Sequence, residues 1–179
     1  MEQYRYKRVV VGKNDAGKSA VLTTTCTNVQ QEPNQFYRAT LWSTSEHPVD
    51  NSIGGDRANK GIGRNPPKGG SHVRVLEIYP EDPDREKMIA QVKEAHAKFG
   101  QEHQPTEEDL ARHPMMHRTD TLDIIFIVRG EIYLVTDVDE LLCTPGDCII
   151  IRGTNHAWSV RGTEPCLMMG VMLDALPLD

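Results

Sequence analysis

The chain has no apolar run near the roughly twenty residues needed to cross a bilayer, so no membrane-spanning helix is expected. Nor does a hydrophobic segment follow Met1-Glu-Gln-Tyr-Arg to act as a signal peptide, and the expected compartment is the cytoplasm. Positive charge is not in excess. The net charge is −6 and the basic residues are scattered, which argues against nucleic acid or an anionic membrane as the main partner. Cysteine is scarce: Cys26, Cys143, Cys148 and Cys166 form no CxxC pair and no zinc-ribbon spacing, so disulfides are not expected. The last three lie in apolar, strand-like stretches where a thiol is expected to be buried and inert. Internal repeats and low-complexity tracts are also absent.

What remains fits one globular domain over residues 1–179, since 179 residues bury one proper core and are too few for two. Residues 1–45 read as N-terminal strands, with Arg8–Gly12 and Ser19–Thr25 flanking a turn and Phe36–Trp42 beyond it. Residues 46–71 shift to Gly, Asn, Pro, Asp and Lys, which predicts a long surface loop. Residues 72–114 add a strand at Val73–Tyr79 and a helical insertion. In Pro83–Phe99, a helix of about 17 residues, Met88, Ile89, Val92, Ala95 and Phe99 recur at helical spacing; Asp82 is the expected cap and Gly100 the stop. A short second helix begins at Thr106 and must end before Pro114. From 115 to 175 short strands alternate with turns such as Arg129-Gly130, Pro145-Gly146-Asp147 and Gly153-Thr154-Asn155, which indicates an all-β sandwich or small barrel.

Gly12–Ser19 matches the phosphate-binding P-loop letter for letter, and Val9-Val10-Val11 supplies a preceding strand. A nucleotide site needs a helix directly behind the loop, whose N-terminus meets the phosphate. Ala20-Val-Leu-Thr-Thr-Thr is instead β-branched and poor as a helix. A hairpin turn through Asn14-Asp15-Ala16-Gly17 explains the same residues, and nucleotide binding is the weakest of three functional readings.

Two stretches of the second half carry more. One is His117-Arg-Thr119-Asp-Thr121-Leu-Asp123, with Gly130 after six intervening residues. The other is Pro145-Gly146-Asp147-Cys-Ile-Ile-Ile-Arg-Gly153-Thr-Asn-His156. Together they resemble the paired motifs of the cupin superfamily, and the first is similar to single-domain cupins with a His-Arg-Thr-Asp-Thr sequence. The resemblance implies a small double-stranded β-helix, or jelly-roll, barrel with the helices inserted into it. It also implies a metal site, with departures: Thr119 stands where the family has a second histidine, Asp123 where it has a glutamate, and Val160 where an asparagine is frequent.

The residues support the same site on physical grounds. Along an extended strand His117, Thr119, Thr121 and Asp123 share one face, which in a small barrel can point inward. With His156 on a neighbouring strand, His117 and Asp123 would give two imidazoles and a carboxylate, a donor set accepted by iron, manganese, nickel or zinc. His113 and Thr119 are weaker ligand candidates. Thr121, Arg118, Arg152 and Trp158 are candidates for the substrate pocket, and Glu131 and Tyr133 for acid–base help. The bland alternatives are that His156 caps a strand end, that Asp123 is a carboxylate held by hydrogen bonds to Thr121 or His117, and that Met168, Met169 and Met172 only fill the core. His47, His72, His96 and His103 read as loop or polar-face residues with no role.

The leading functional expectation is a metal-dependent cupin enzyme acting on a small polar metabolite: an organic acid, a sugar derivative or a hydroxylated aromatic. Lyase, isomerase or decarboxylase chemistry is favoured over oxygenase chemistry. The second is a metal-free cupin that binds or senses a small ligand. Pairing through the apolar N-terminal strands predicts a homodimer, and the 47–70 segment and the first helix are placed to gate the barrel mouth.

Overall fold

The computed structural model describes residues 5–25, 29–32, 35–59, 63–99 and 103–178. Cys26, Gly100 and the side chains of His96 and Phe99 lie outside what is described. The elements run β1 (Val10–Lys13), β2 (Ser19–Thr23), β3 (Val29–Glu32), β4 (Phe36–Thr44), β5 (Ser71–Ile78), α1 (Arg85–Phe99), α2 (Glu107–Arg112), β6 (Thr121–Arg129), β7 (Ile132–Val135), β8 (Glu140–Cys143), β9 (Cys148–Arg152), β10 (Ala157–Ser159) and β11 (Cys166–Asp174). Six strands form one antiparallel sheet in the order β3-β4-β5-β11-β6-β9, and three form another in the order β10-β7-β8. The mostly-β architecture expected of a jelly roll is therefore present. No helix among the described residues is long and apolar enough to cross a membrane.

The core shows how the sheets meet. Ile78, Ile127, Ile151 and Met168 from the large sheet pack with Ile132, Cys143 and Trp158 from the small one. Strand alternation produces this directly: Thr121, Asp123 and Ile127 of β6 are buried, whereas Phe126 and Val128 are 47% and 45% exposed on the other face. At the β6–β7 turn Gly130 takes φ +75°, and a Cβ there would sit 2.5 Å from the Pro165 carbonyl oxygen, so the tight turn excludes every side chain. A second cluster, Tyr37, Ala39, Val75 and Leu167, covers the opposite face of the large sheet.

Several expectations change in detail. The P-loop look-alike is the β1–β2 hairpin, with Asn14 Oδ1 accepting from the N–H groups of Ala16 and Lys18; a strand follows it, not a helix. Helix α1 starts two residues later than predicted and is capped by Asp84, whose Oδ1 accepts from the Lys87 N–H at 3.1 Å. Asp82 instead accepts from Asp84 and pairs with Lys87. Thr106 and Asp109 form a capping box on α2, as the sequence predicts. The 46–71 segment is not simply a surface loop. Arg8 reaches Asp56, Arg57 holds Glu46 through two 2.8 Å bonds, and Ala58 is fully buried. Cys143 and Cys166 are buried free thiols, but Cys148 is exposed because it lies on β9, the edge of its sheet.

Candidate functional site

A cavity of about 160 Å³ opens beside the β6–β11 pair. His117, Thr119, Asp123, His156 and Trp158 line one wall, and Arg38, Arg64 and Arg74 stand in another. Val92 and Ala95 of α1 close part of it, and Met115, Met168, Met169 and Met172 supply thioether surface.

The two histidines are set by backbone pairing. The His117 N–H donates to the His156 carbonyl and the His156 N–H to that of His117, both at 2.9 Å, an isolated antiparallel bridge outside the named strands. Both imidazoles rise on the same side, with ring centroids 4.4 Å apart. Nδ1 of His117 lies 2.8 Å from the Met115 carbonyl oxygen, and Nδ1 of His156 lies 2.9 Å from that of Thr154. A carbonyl only accepts, so each Nδ1 carries a proton, and in the neutral ring each Nε2 carries the lone pair. His156 is 3% exposed, and burial pushes its pKa down to about 4, so its ring is neutral at pH 7. Trp158 meets His156 edge-on at 5.8 Å and belongs to the core as well as to the cavity wall.

Asp123 sits on β6 between Ile151 of β9 and Met172 of β11 and is 5% exposed. Burial raises its pKa, while the Thr121 hydroxyl, Arg64 and Arg74 pull the other way. Its Oδ1 is buried without a hydrogen-bond partner among the described residues, a costly state for a carboxylate oxygen. The Thr119 and Thr121 hydroxyls are 2.7 Å apart.

The other candidates separate from this group. His113 is buried, but its Nε2 donates to Glu81 at 2.9 Å and its Nδ1 accepts from the Met115 N–H, so it caps α2 and does not line the cavity. Arg118 is exposed and turned toward His103, and Arg152 is exposed on β9. Glu131 is exposed, and the Tyr133 ring carries the Arg161 guanidinium at 4.2 Å; neither reaches the cavity. Thr121 lies behind the lining next to Thr119. Met168 and Met172 do more than fill the core, since both line the cavity on one face of β11, whereas Met169 between them is 39% exposed.

The sequence reading missed the arginines. Arg74 of β5 is 7% exposed, and its guanidinium donates to the Gly63 and Arg64 carbonyls at 2.5 Å each and to Thr40 Oγ1 at 3.3 Å. Arg38 of β4 is held by the Gln30 side-chain oxygen. Arg64, half-buried, follows Gly63 in the 46–71 segment. Burial pushes the pKa of Arg64 down to about 9 and of Arg38 to about 10, so both stay charged at neutral pH. Alternation could have found Arg74, since it shares a face with His72, Leu76 and Ile78. His72 itself is buried on β5, not in a loop; it donates from Nε2 to the Asn65 carbonyl, and burial lowers its pKa to about 4.

A metal is what the resemblance implies, and the donor chemistry can be tested against the structure. His117 and His156 present paired Nε2 lone pairs, which suits a divalent transition ion. Among the described residues, however, no three His, Cys, Asp or Glu side chains are placed to hold one ion together. Asp123 thus does not join the histidines as a third ligand here.

No family model matches the chain. It is 40% identical over 67 residues to phomopsin biosynthesis cluster protein C′ of Diaporthe leptostromiformis, a match spanning 36% of this chain and only 35% of that protein. Over 184 residues it is 26% identical to the cupin-domain-containing oxidoreductase virC of Hypocrea virens, covering 97% of this chain and 78% of that one. Among solved structures it is similar to the Cnp3 cupin domain of Schizosaccharomyces pombe, with a TM-score of 0.48, 12% identity and 96% and 89% of the two chains covered. The two sequence motifs, the antiparallel two-sheet architecture and the likeness to a cupin-domain protein along nearly the whole chain agree, and the chain resembles the cupin superfamily.

Proposed function

We propose that the protein is a cupin enzyme that takes a small polar metabolite into this cavity, with His117 and His156 as its reacting centre. One observation carries the reading: two imidazoles 4.4 Å apart, each locked through Nδ1 so that in the neutral ring Nε2 carries the lone pair, border a small cavity. A neutral, buried imidazole can take a proton from a substrate carbon or hydroxyl and return it, as an isomerase, a lyase or a decarboxylase requires. Trp158 and the methionines exclude water from that exchange, and Thr119 offers a hydroxyl beside it. The same two Nε2 atoms would hold iron, manganese, nickel or zinc, and such an ion would polarise a substrate carbonyl as a Lewis acid. The metal-free ligand-binding reading is favoured by the lack, among the described residues, of a three-ligand group.

The test is metal content and turnover of the full chain, free of any affinity tag, beside His117→Ala and His156→Ala. A divalent ion near one equivalent that both variants lose supports the metal-dependent form of the proposal. Turnover on a panel of small organic and sugar acids that falls about 100-fold or more in either variant supports the reacting centre. Turnover that survives in both sinks it. Ligand-induced stabilisation with neither metal nor turnover favours the binding protein. The proposal includes a homodimer, supported by Val11 and Val21, both 60% exposed on the β1–β2 hairpin; light scattering after gel filtration measures it.

A further inference from the structure

Arg74 spends its donors on the chain next to it. Two of its guanidinium bonds go to the backbone carbonyls of residues 63 and 64, a third to Thr40 and a fourth to the Met172 sulfur. All of these acceptors are uncharged. The effect is to clamp one loop residue, Arg64, against the cavity. The Arg64 guanidinium has no hydrogen-bond or ion-pair partner among the described residues, although it lines the same cavity as His117, His156 and Asp123. Among the described residues Asp123 is the one carboxylate in that lining and forms an ion pair with neither Arg64 nor Arg74, although both act on it electrostatically, while Arg38 adds a third positive charge. A partly buried guanidinium offers five N–H donors in a planar fork that matches a carboxylate. Leaving them unmet in a low-dielectric cavity is unfavourable, and an incoming anion removes that penalty.

We propose that Arg64 is the docking point for a carboxylate group of the molecule taken into the cavity, with Arg74 positioning it, so that the ligand is a small organic acid with an apolar body. The proposal rests on the cavity reading above and names its substrate class. The apolar body follows from the rest of the lining, where Leu76, Ile125, Trp158, Met168 and Met172 face inward. Arg64 is also near enough to His156 to disfavour its protonation electrostatically, so an acid docked on Arg64 has its neighbouring carbons beside the histidine pair. A carboxylate fits better than a phosphate because one fork is available and the cavity is small.

The experiment is equilibrium binding to the full chain, read by calorimetry and by shift of the melting temperature, without turnover. The probes are matched pairs of equal shape, hexanoate with hexanamide and benzoate with benzamide, together with inorganic phosphate. At least one acid is expected to bind about tenfold or more tightly than its amide. Arg64→Gln should erase the difference, and Arg64→Lys should recover only part of it because the fork is lost. His156→Ala should leave the acid-over-amide preference in place, so the clamp can stand where the reacting-centre proposal falls, and the reverse. Equal affinity of acid and amide, no binding by any acid, an unchanged preference in a folded Arg64→Gln protein, or phosphate binding in preference to both acids would each overturn it.

Discussion

The two walls of the cavity are built by opposite means. On the histidine wall every constraint is local: each Nδ1 donates to a carbonyl two residues back, and the two residues hold each other through reciprocal backbone bonds. That wall continues through Trp158 into the main core. On the arginine wall the residues come from β4, β5 and the segment between them, and Arg74 is fixed by bonds spanning ten and eleven residues. Arg74 donates to uncharged oxygens and to the Met172 sulfur, and the Arg64 guanidinium has no described partner. One wall is a rigid extension of the fold; the other is a charged surface whose stability depends little on its outermost residue.

The largest effect that would sharpen this contrast is expected from Trp158→Ala. Losing a large aromatic side chain that is 5% exposed should cost about 3–5 kcal/mol of stability, measured by urea unfolding. Next comes pH. Folding holds the His72 pKa at about 4, below its ordinary value of 6.5, so the unfolded chain binds more protons between those values. Stability from this group is full above pH 6.5 and is lost as pH falls toward 4, by about 3 kcal/mol at most. Buried His156, also held at about 4, adds a loss over the same window; urea midpoints from pH 7 to pH 4.5 should show both, and His72→Gln should remove only the part due to His72. Thr121→Val removes the hydroxyl that eases the Asp123 carboxyl; a cost of about 1 kcal/mol is expected, with the Asp123 pKa moving further up by NMR titration. Smallest of all, Arg64→Gln should leave the unfolding midpoint within about 0.5 kcal/mol of the parent. A large loss there would break the comparison, because it would make the arginine wall structural.

This asymmetry also explains what the sequence disclosed. His117, Thr119, Asp123, His156 and Trp158 were readable because strand parity and a turn-plus-histidine spacing are short-range signals. Both helices and most late strands were readable for the same reason. Arg64 was not, since nothing in a run of Gly, Asn and Pro says which residue a distant arginine will seize. Parity carried the information for Arg74, which was not singled out, and for His72, which read as a loop or polar-face residue. Arg118 and Arg152 were the converse error: each lies near a motif residue in sequence but is exposed in the fold. Cys148 misled because β9 is an edge strand, where apolar neighbours in sequence do not guarantee burial. Strand β3 went unread because Val29-Gln-Gln-Glu shows no apolar alternation.

The methionines at the cavity give the fold an unequal capacity to diverge. Thioether side chains have several rotatable bonds and adapt to varied shapes, so Met168 and Met172 can follow a change in a ligand's apolar portion through a single substitution or a rotamer shift. The charged end has no such latitude, because Arg38, Arg64 and Arg74 sit on three segments and two of them are linked through backbone carbonyls. Under the carboxylate-docking proposal, descendants of this chain would therefore exchange the tails of their ligands readily and keep the acidic head.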